Sequence, residues 1–366
     1  MNAYDAIIVG GGPAGSACAS RLARGGMEVL VVDRAHFPRD KPCAGWITLE
    51  TVARLGLDPA EYARHGQMTA ITSFRVSLLG GRPVPVDFGA PVSYAIRRCE
   101  FDTFLLKRSG ATVRTGAEVT SIERRGGKWT INGEWEAPVL VGAGGHFCPV
   151  ARRLGARPSD EPAVAAQEAE FELTEDEAAR CALPEGWVDL SFAPDLEGYG
   201  WCVRKGRWLN VGFGTLRHHR LKPLLERYGN SLRRRGILPQ GRETPVRGHA
   251  YLLRRLARRP VFGEGVLLAG DAAGLANDSS GEGILPAIVS GTLAAEAVLA
   301  AGLRPERLDG AAYAAALEKE LGPRGTGRRG ASWLERLAAP LAFRSDGFVR
   351  REIIEKRFLR RNGAEL

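Results

Sequence analysis

Three glycines, Gly10, Gly12 and Gly15, with Asp33 a further 18 residues on, have the types and spacing to hold a dinucleotide. In a G-x-G-x-x-G turn the first glycine makes the bend, the second lets the backbone approach a diphosphate, and the third lets helix pack on strand. Pro13 and Ala14 open the helix that follows. Its free N–H groups and a partial charge of roughly +0.5 attract an anion without any basic side chain. Asp33, followed by Arg34, ends the apolar run from Glu28 to Val32 and stands where a carboxylate accepts from ribose hydroxyls. A 2′-phosphate would be repelled there, so the ligand reads as FAD or NAD rather than NADP. Farther along, Tyr199 and Trp201 flank Gly200 and so project from one face of a strand. Two aromatics so placed suit either the wall of an apolar substrate slot or ordinary core packing.

The elements that must position these residues follow from the pattern of apolar runs. Tyr4 to Val9 predicts the first strand, Glu28 to Val32 the second, Pro138 to Val141 a third and Gly265 to Ala269 a fourth, all apolar enough to be buried on both faces. A helical run from Cys99 to Arg108, strands over 112–114 and 119–122, and a short hairpin over 128–133 belong with them. By contrast, Thr72 to Phe88 alternates around Gly80 and Gly81 as an antiparallel hairpin does. Alternation returns over 167–173, 187–192, 200–203 and 208–213, and Leu221 to Arg235 predicts a basic helix. The expected division is a discontinuous nucleotide domain over 1–70, 95–160 and 255–300, a substrate domain over 71–94 and 161–254, and a helical region over 301–366.

The 366 residues suffice for two domains with large cores. Charged residues at 25% and hydrophobic ones at 44% place the chain among ordinary globular proteins rather than disordered ones. We expect a cytoplasmic chain, since no signal peptide precedes the first strand and no uninterrupted apolar stretch approaches about 18 residues. The six cysteines lack zinc or C-x-x-C spacing, and no metal site is expected. Arg324 to Arg361 holds eleven Lys or Arg against four Asp or Glu, so most of the net charge of +9 is C-terminal. The rest of the chain is near neutral and carries no recognised nucleic-acid motif, so no nucleic-acid partner is expected. The C-terminal excess suits either peripheral membrane contact or a helical pair covering the substrate domain.

The Gly10–Gly15 turn, Arg97 before a helix, Gly142-Ala143-Gly144-Gly145 and Gly270-Asp271-Ala272-Ala273-Gly274 together resemble the FAD-dependent superfamily typified by para-hydroxybenzoate hydroxylase. Within it, Lys41-Pro42-Cys43-Ala44-Gly45, Gly281-Glu282-Gly283-Ile284 and Tyr199-Gly200-Trp201 resemble the geranylgeranyl reductase branch, which reduces carbon–carbon double bonds of isoprenoid chains. The fold this implies is mixed α/β (α+β): a Rossmann-like FAD-binding domain, an antiparallel-sheet substrate domain and C-terminal helices. The resemblance implies that Asp271 hydrogen-bonds the ribityl chain and that Gly270 and Arg97 contact the cofactor. The helix after Gly281, Glu282, Gly283 and Ile284 would point at the pyrimidine edge of the isoalloxazine. It further implies that Cys43 and Ala44 lie beside the flavin, with Cys43 and Glu282 as catalytic candidates and Trp46, Tyr199 and Trp201 as substrate contacts. Two departures stand out: Gly144 replaces the family's acid in G-A-D-G, and Val203-Arg204 replaces Phe-Pro after the aromatic pair.

The expected function is an FAD-dependent reductase of a hydrophobic, isoprenoid-like double bond, fed by NAD(P)H, ferredoxin or a separate reductase. The alternatives are a monooxygenase of the same superfamily, a flavin halogenase, and a non-catalytic FAD redox sensor.

Overall fold

The computed structural model describes residues 2–242, 245–302, 304–325 and 331–360, and the chain divides into two compact units. One comprises Met1–Asp40, Cys99–Ala163 and Tyr251–Arg328, the other Lys41–Arg98, Val164–Ala250 and Arg329–Leu366.

The first unit is built on a six-stranded sheet in the order Phe262–Gly263, Val266–Leu268, Val139–Gly142, Ala6–Val9, Val29–Asp33 and Thr112–Thr115. All pairings but the first are parallel. Its inner strands are continuous Val, Ile and Leu runs because both faces are covered, which is the condition for parallel strands. The helices Pro13–Arg24 and Ile284–Ala301 pack on each other so closely that a Cβ on Gly291 would fall 2.1 Å from the Ala14 carbonyl oxygen. Ile284–Ala301 is long and apolar enough to cross a membrane by length and composition, although Ser290, Thr292 and Glu296 interrupt its apolar run. Within the protein 67% of that segment is buried, packed on the helices Pro13–Arg24 and Gly310–Leu321. A smaller sheet pairs Asn2–Ala3, Trp135–Ala137, Lys128–Ile131 and Ile122–Arg125. The strand expected over 119–122 therefore begins only at Ile122, because its partner Lys128–Ile131 registers Ile122 with Ile131.

The second unit carries a large, mostly antiparallel sheet that runs through Val164–Glu172, Trp208–Thr215, Gly198–Lys205, Trp187–Phe192, Ser73–Leu78 and Val84–Asp87. The helix Leu221–Arg234 packs on it through Leu221, Leu224, Tyr228 and Leu232. Residues 41–70 belong to this unit, not to the nucleotide domain expected to hold them. Trp46–Thr48 and Met68–Ile71 both pair antiparallel with Ser93–Ile96, a partner the parallel sheet does not offer. The C-terminal region is likewise not one body: helix Gly310–Leu321 joins the first unit, whereas Trp333–Ala342 and the helical Val349–Phe358 join the second.

Candidate functional site

In the first unit, the three turn glycines divide their work. Gly10 has φ +114°, and a Cβ there would sit 2.3 Å from the Ala143 carbonyl oxygen. A Cβ on Gly15 would sit 1.8 Å from the Gly10 oxygen. These two are demanded by packing of backbone on backbone. Gly12 is different, because a Cβ there would meet only the Arg39 guanidinium, at 3.3 Å. The side left open at Gly12 is where a diphosphate needs the backbone bare. Gly12 also caps helix Pro13–Arg24 without a side-chain bond, and the first turn holds no acid, so its N–H groups are available to an anion.

Asp33 is held from below. Its Oδ2 accepts from the Gly11 N–H at 2.7 Å and its Oδ1 from the Ala35 N–H at 2.9 Å. Each carboxylate oxygen keeps capacity for a second donor, as a ribose clamp requires. Arg34 is exposed. Arg39, which sequence reading passed over, pairs with the buried Asp102 at 3.1 Å and stands over the Phe37 ring at 4.8 Å, beside Gly12.

The second glycine turn lies against the first. Gly270, at φ +60°, would bring a Cβ to 3.1 Å from that of Ala14, and its N–H donates to Ser290 Oγ at 2.9 Å. Asp271 follows, with its Oδ1 3.3 Å from where a Gly283 Cβ would be. Gly283 caps helix Ile284–Ala301, again with no side-chain cap and no acid in the first turn. Gly281, at φ +70°, has the Tyr251 hydroxyl 2.4 Å from its would-be Cβ. Glu282 sits between these glycines, its N–H donating to Ser280 Oγ at 3.3 Å. Near the departure at Gly144, the buried Arg259 donates to the backbone oxygens of His146, Asp271 and Ala272 and pairs with Glu161. That arginine ties together two loops the sequence showed only as separate glycine runs. Two open helix N-termini, a bare backbone at Gly12 and carboxylates at Asp33 and Asp271 form a donor set that fits a flavin dinucleotide.

In the second unit, the Cys43 loop rests on a buried polar group. Glu168 and Glu170, two apart on one strand, share a face. Their partners come from neighbouring strands, where Glu170 registers with Asn210 and Trp201 with Gly212. The fully buried Lys205 donates to Glu170 Oε2 at 2.6 Å. Asn210 Nδ2 donates to that oxygen at 3.2 Å and to the Cys43 carbonyl oxygen at 3.1 Å. Trp201 Nε1 donates to Asn210 Oδ1 at 2.8 Å, and its indole covers Gly212, whose Cβ would collide with it at 2.3 Å. Gly45, at φ +64°, would place a Cβ 2.0 Å from the Ile96 oxygen and 2.5 Å from Lys205 Nζ, so the loop closes down on this group.

The two acids are set apart by their neighbours. Burial pushes Glu168 from 4.5 up to about 7, against the Cys43 N–H and Lys205, which favour its ionised form. For Glu170 burial also pushes upward, but the Lys205 ammonium, Asn210 and Arg97 outweigh it and hold the carboxyl low. Cys43 itself is half-buried, and its Sγ accepts from the Gly45 N–H at 3.4 Å. Burial drives the Cys18 thiol to about 12 and raises Cys148 and Cys202, which marks these three as inert packing groups. Arg97 lies in this unit, its guanidinium over the Trp208 ring at 3.5 Å and its Nε 3.3 Å from Glu170 Oε1.

Two of the three substrate candidates, Trp46 and Tyr199, meet through one residue of the tail. Phe358 stacks on Trp46, with centroids 5.1 Å apart, and meets Tyr199 edge-on at 5.4 Å. Tyr199 meets Trp201 edge-on at 6.0 Å, so the pair does share a face. Phe192 and Phe74 extend the row. No spacing signal in the sequence links residue 358 to residues 46 and 199; its place depends on the tail folding back.

The model of the FAD-binding domain family matches residues 3–309. The chain is 34% identical over 323 residues to a menaquinone reductase of Mycobacterium tuberculosis, covering 80% of this chain and 76% of that protein. It is 32% identical over 323 residues to a geranylgeranyl diphosphate reductase of Rhodobacter capsulatus, covering 81% and 75% respectively. In fold it is similar to a geranylgeranyl bacteriochlorophyll reductase-like protein of Thermoplasma acidophilum, with TM-score 0.74, 20% identity, and 96% and 90% of the two chains covered. By the family model and these relatives, this chain belongs to the geranylgeranyl reductase family of FAD-dependent oxidoreductases.

Proposed function

We propose that this enzyme reduces a carbon–carbon double bond of a long apolar, isoprenoid-like substrate. The observation that carries this reading is the aromatic row of Trp46, Phe358, Tyr199 and Trp201, joined through the Trp201–Asn210 hydrogen bond to a buried acid poised near neutrality. Two relatives named for menaquinone and for geranylgeranyl diphosphate, both polyprenyl compounds, support the same substrate class.

When bound and reduced, FAD supplies the hydride. The chain must supply the rest. Gly12, Asp33 and Asp271 would hold the cofactor, and the open start of Ile284–Ala301 would favour negative charge on it. The aromatic row gives an apolar chain a dry wall, gaining about 0.8 kcal/mol per buried CH₂. Glu168, protonated below about pH 7, is the candidate proton donor to the second carbon. Glu170 stays ionised, anchored by Lys205, and orients Asn210 under the Cys43 loop. Cys43, whose half-buried thiol accepts from the Gly45 N–H, tunes reactivity rather than folding.

The test is to photoreduce the purified protein without oxygen and follow flavin reoxidation by polyprenyl alkenes, then by O₂. Saturated product with one equivalent of flavin oxidised supports the reading; product hydroxylated only when O₂ is admitted would establish the monooxygenase instead. Repeating the reduction with NADH, NADPH and reduced ferredoxin identifies the electron donor.

A further inference from the structure

The helix Trp333–Ala342 turns its apolar side outward. Trp333 is 71% exposed, Leu334 59%, Leu337 70% and Leu341 75%. At about 100° per residue these positions fall within one face. The helix is nevertheless well anchored. Ser332 and Glu335 form a capping box at its start, Ala339 is buried on its inner side, and Arg336 pairs with Glu197 at 2.7 Å. The next segment obeys the usual rule, burying Phe343, Val349, Ile353, Ile354 and Phe358. Four large apolar side chains left in water on one rigid face mark an interaction surface.

The charge around that face selects the partner. Arg344, Arg351 and Lys356 are exposed close by in the chain, against the exposed Glu335 and Asp346. Arg328 and Arg329, which precede the helix in sequence, and Arg361 lie outside the described residues. A tryptophan and leucines flanked by arginines form the pattern of a helix that lies in the plane of a lipid interface, apolar side down. We propose that this face seats the enzyme on an anionic lipid bilayer. The purpose, access to a polyprenyl substrate dissolved there, rests on the function proposed above; the seating itself does not.

The experiment uses the full-length FAD-loaded protein and co-sedimentation with vesicles of phosphatidylcholine alone or with phosphatidylglycerol. The wild type should sediment with the anionic vesicles and much less with the neutral ones. The double variant Leu337→Glu/Leu341→Glu should lose about tenfold or more of that binding, with flavin content and melting temperature kept. Arg344→Glu/Arg351→Glu should lose the preference for anionic lipid, as should the wild type in high salt. Wild-type protein left in the supernatant with both vesicles, or undiminished binding by the leucine variant, would overturn the proposal. So would a dimer by light scattering that the leucine variant splits, since the face would then join two copies of this chain. Vesicle binding needs no turnover, so failure to reduce any alkene leaves this result standing. Conversely, reduction of a short soluble prenyl substrate by the non-binding variant leaves the functional reading standing.

Discussion

The indole of Trp46 lies nearly parallel to the ring of Phe358, with 5° between planes and 5.1 Å between centroids. One ring ends the Cys43 loop and the other belongs to the last helical segment, so the tail completes the aromatic row rather than trailing from the fold.

Phe358→Ala should therefore cost about 3 to 5 kcal/mol, the range for removing a buried aromatic. Differential scanning calorimetry measures it. The loss should come with raised KM for an apolar substrate and normal flavin content, since the FAD cradle is built from the other unit. An unchanged melting temperature would show that the tail is not docked as described.

Gly10→Ala and Gly12→Ala should behave differently although both lie in one turn. At Gly10 a methyl meets backbone atoms at 2.3 Å under a positive φ, and the fold itself should suffer. At Gly12 it meets only the far end of the Arg39 side chain, at 3.3 Å. Gly12→Ala should keep its apoprotein melting temperature within about 1 kcal/mol of stability yet bind FAD at least about tenfold more weakly. Equal flavin affinity in Gly12→Ala and wild type would remove the diphosphate from that position.

Glu168 makes the stability depend on pH with a definite sign. Its carboxyl titrates near 4.5 when unfolded and at about 7 when folded, so between these values the native chain holds a proton the unfolded chain has lost. Stability therefore falls as pH rises across that window and levels off above it. Against Glu168→Gln, which lacks the titration, the wild type should lose of order 2 to 3 kcal/mol from pH 4 to 8. As proton donor, Glu168 should also impose a decline of kcat above about pH 7 that Glu168→Gln lacks. Parallel pH profiles for the two proteins would dismiss both expectations.

Trp201 has two tasks that substitutions can separate. Trp201→Phe keeps a ring over Gly212 but leaves Asn210 Oδ1 without its donor, costing about 1 to 2 kcal/mol of stability. Trp201→Ala should in addition weaken an apolar substrate by about 1 to 3 kcal/mol while FAD content is unchanged. Loss of flavin in Trp201→Ala, read from the visible spectrum, would make the residue a general core group.

The glycine turns and the strands they follow were legible in the chain because their demands are local. Gly10, Gly12 and Gly15 must stand at fixed offsets between a strand and a helix, Asp33 must end the next strand, and Gly270-Asp271 must follow another, so type and spacing suffice. Tyr199 and Trp201 were legible as sharing a face for the same reason, the two-residue period of a strand. The polar group beneath Cys43 was not. Glu168, Glu170 and Glu172 alternate with apolar residues as a solvated strand face does, and only the strands beside them bury Glu168 and bring Lys205, Asn210 and Arg97 to meet Glu170. The same holds for residues 41–70, whose strands belong where their antiparallel partner Ser93–Ile96 lies, and for Phe358, set by a tail that folds back across some 300 residues of chain to reach Trp46. A periodicity names the face a side chain occupies; whether that face meets water, a neighbour strand or a tail is decided by burial, which is a property of the whole fold.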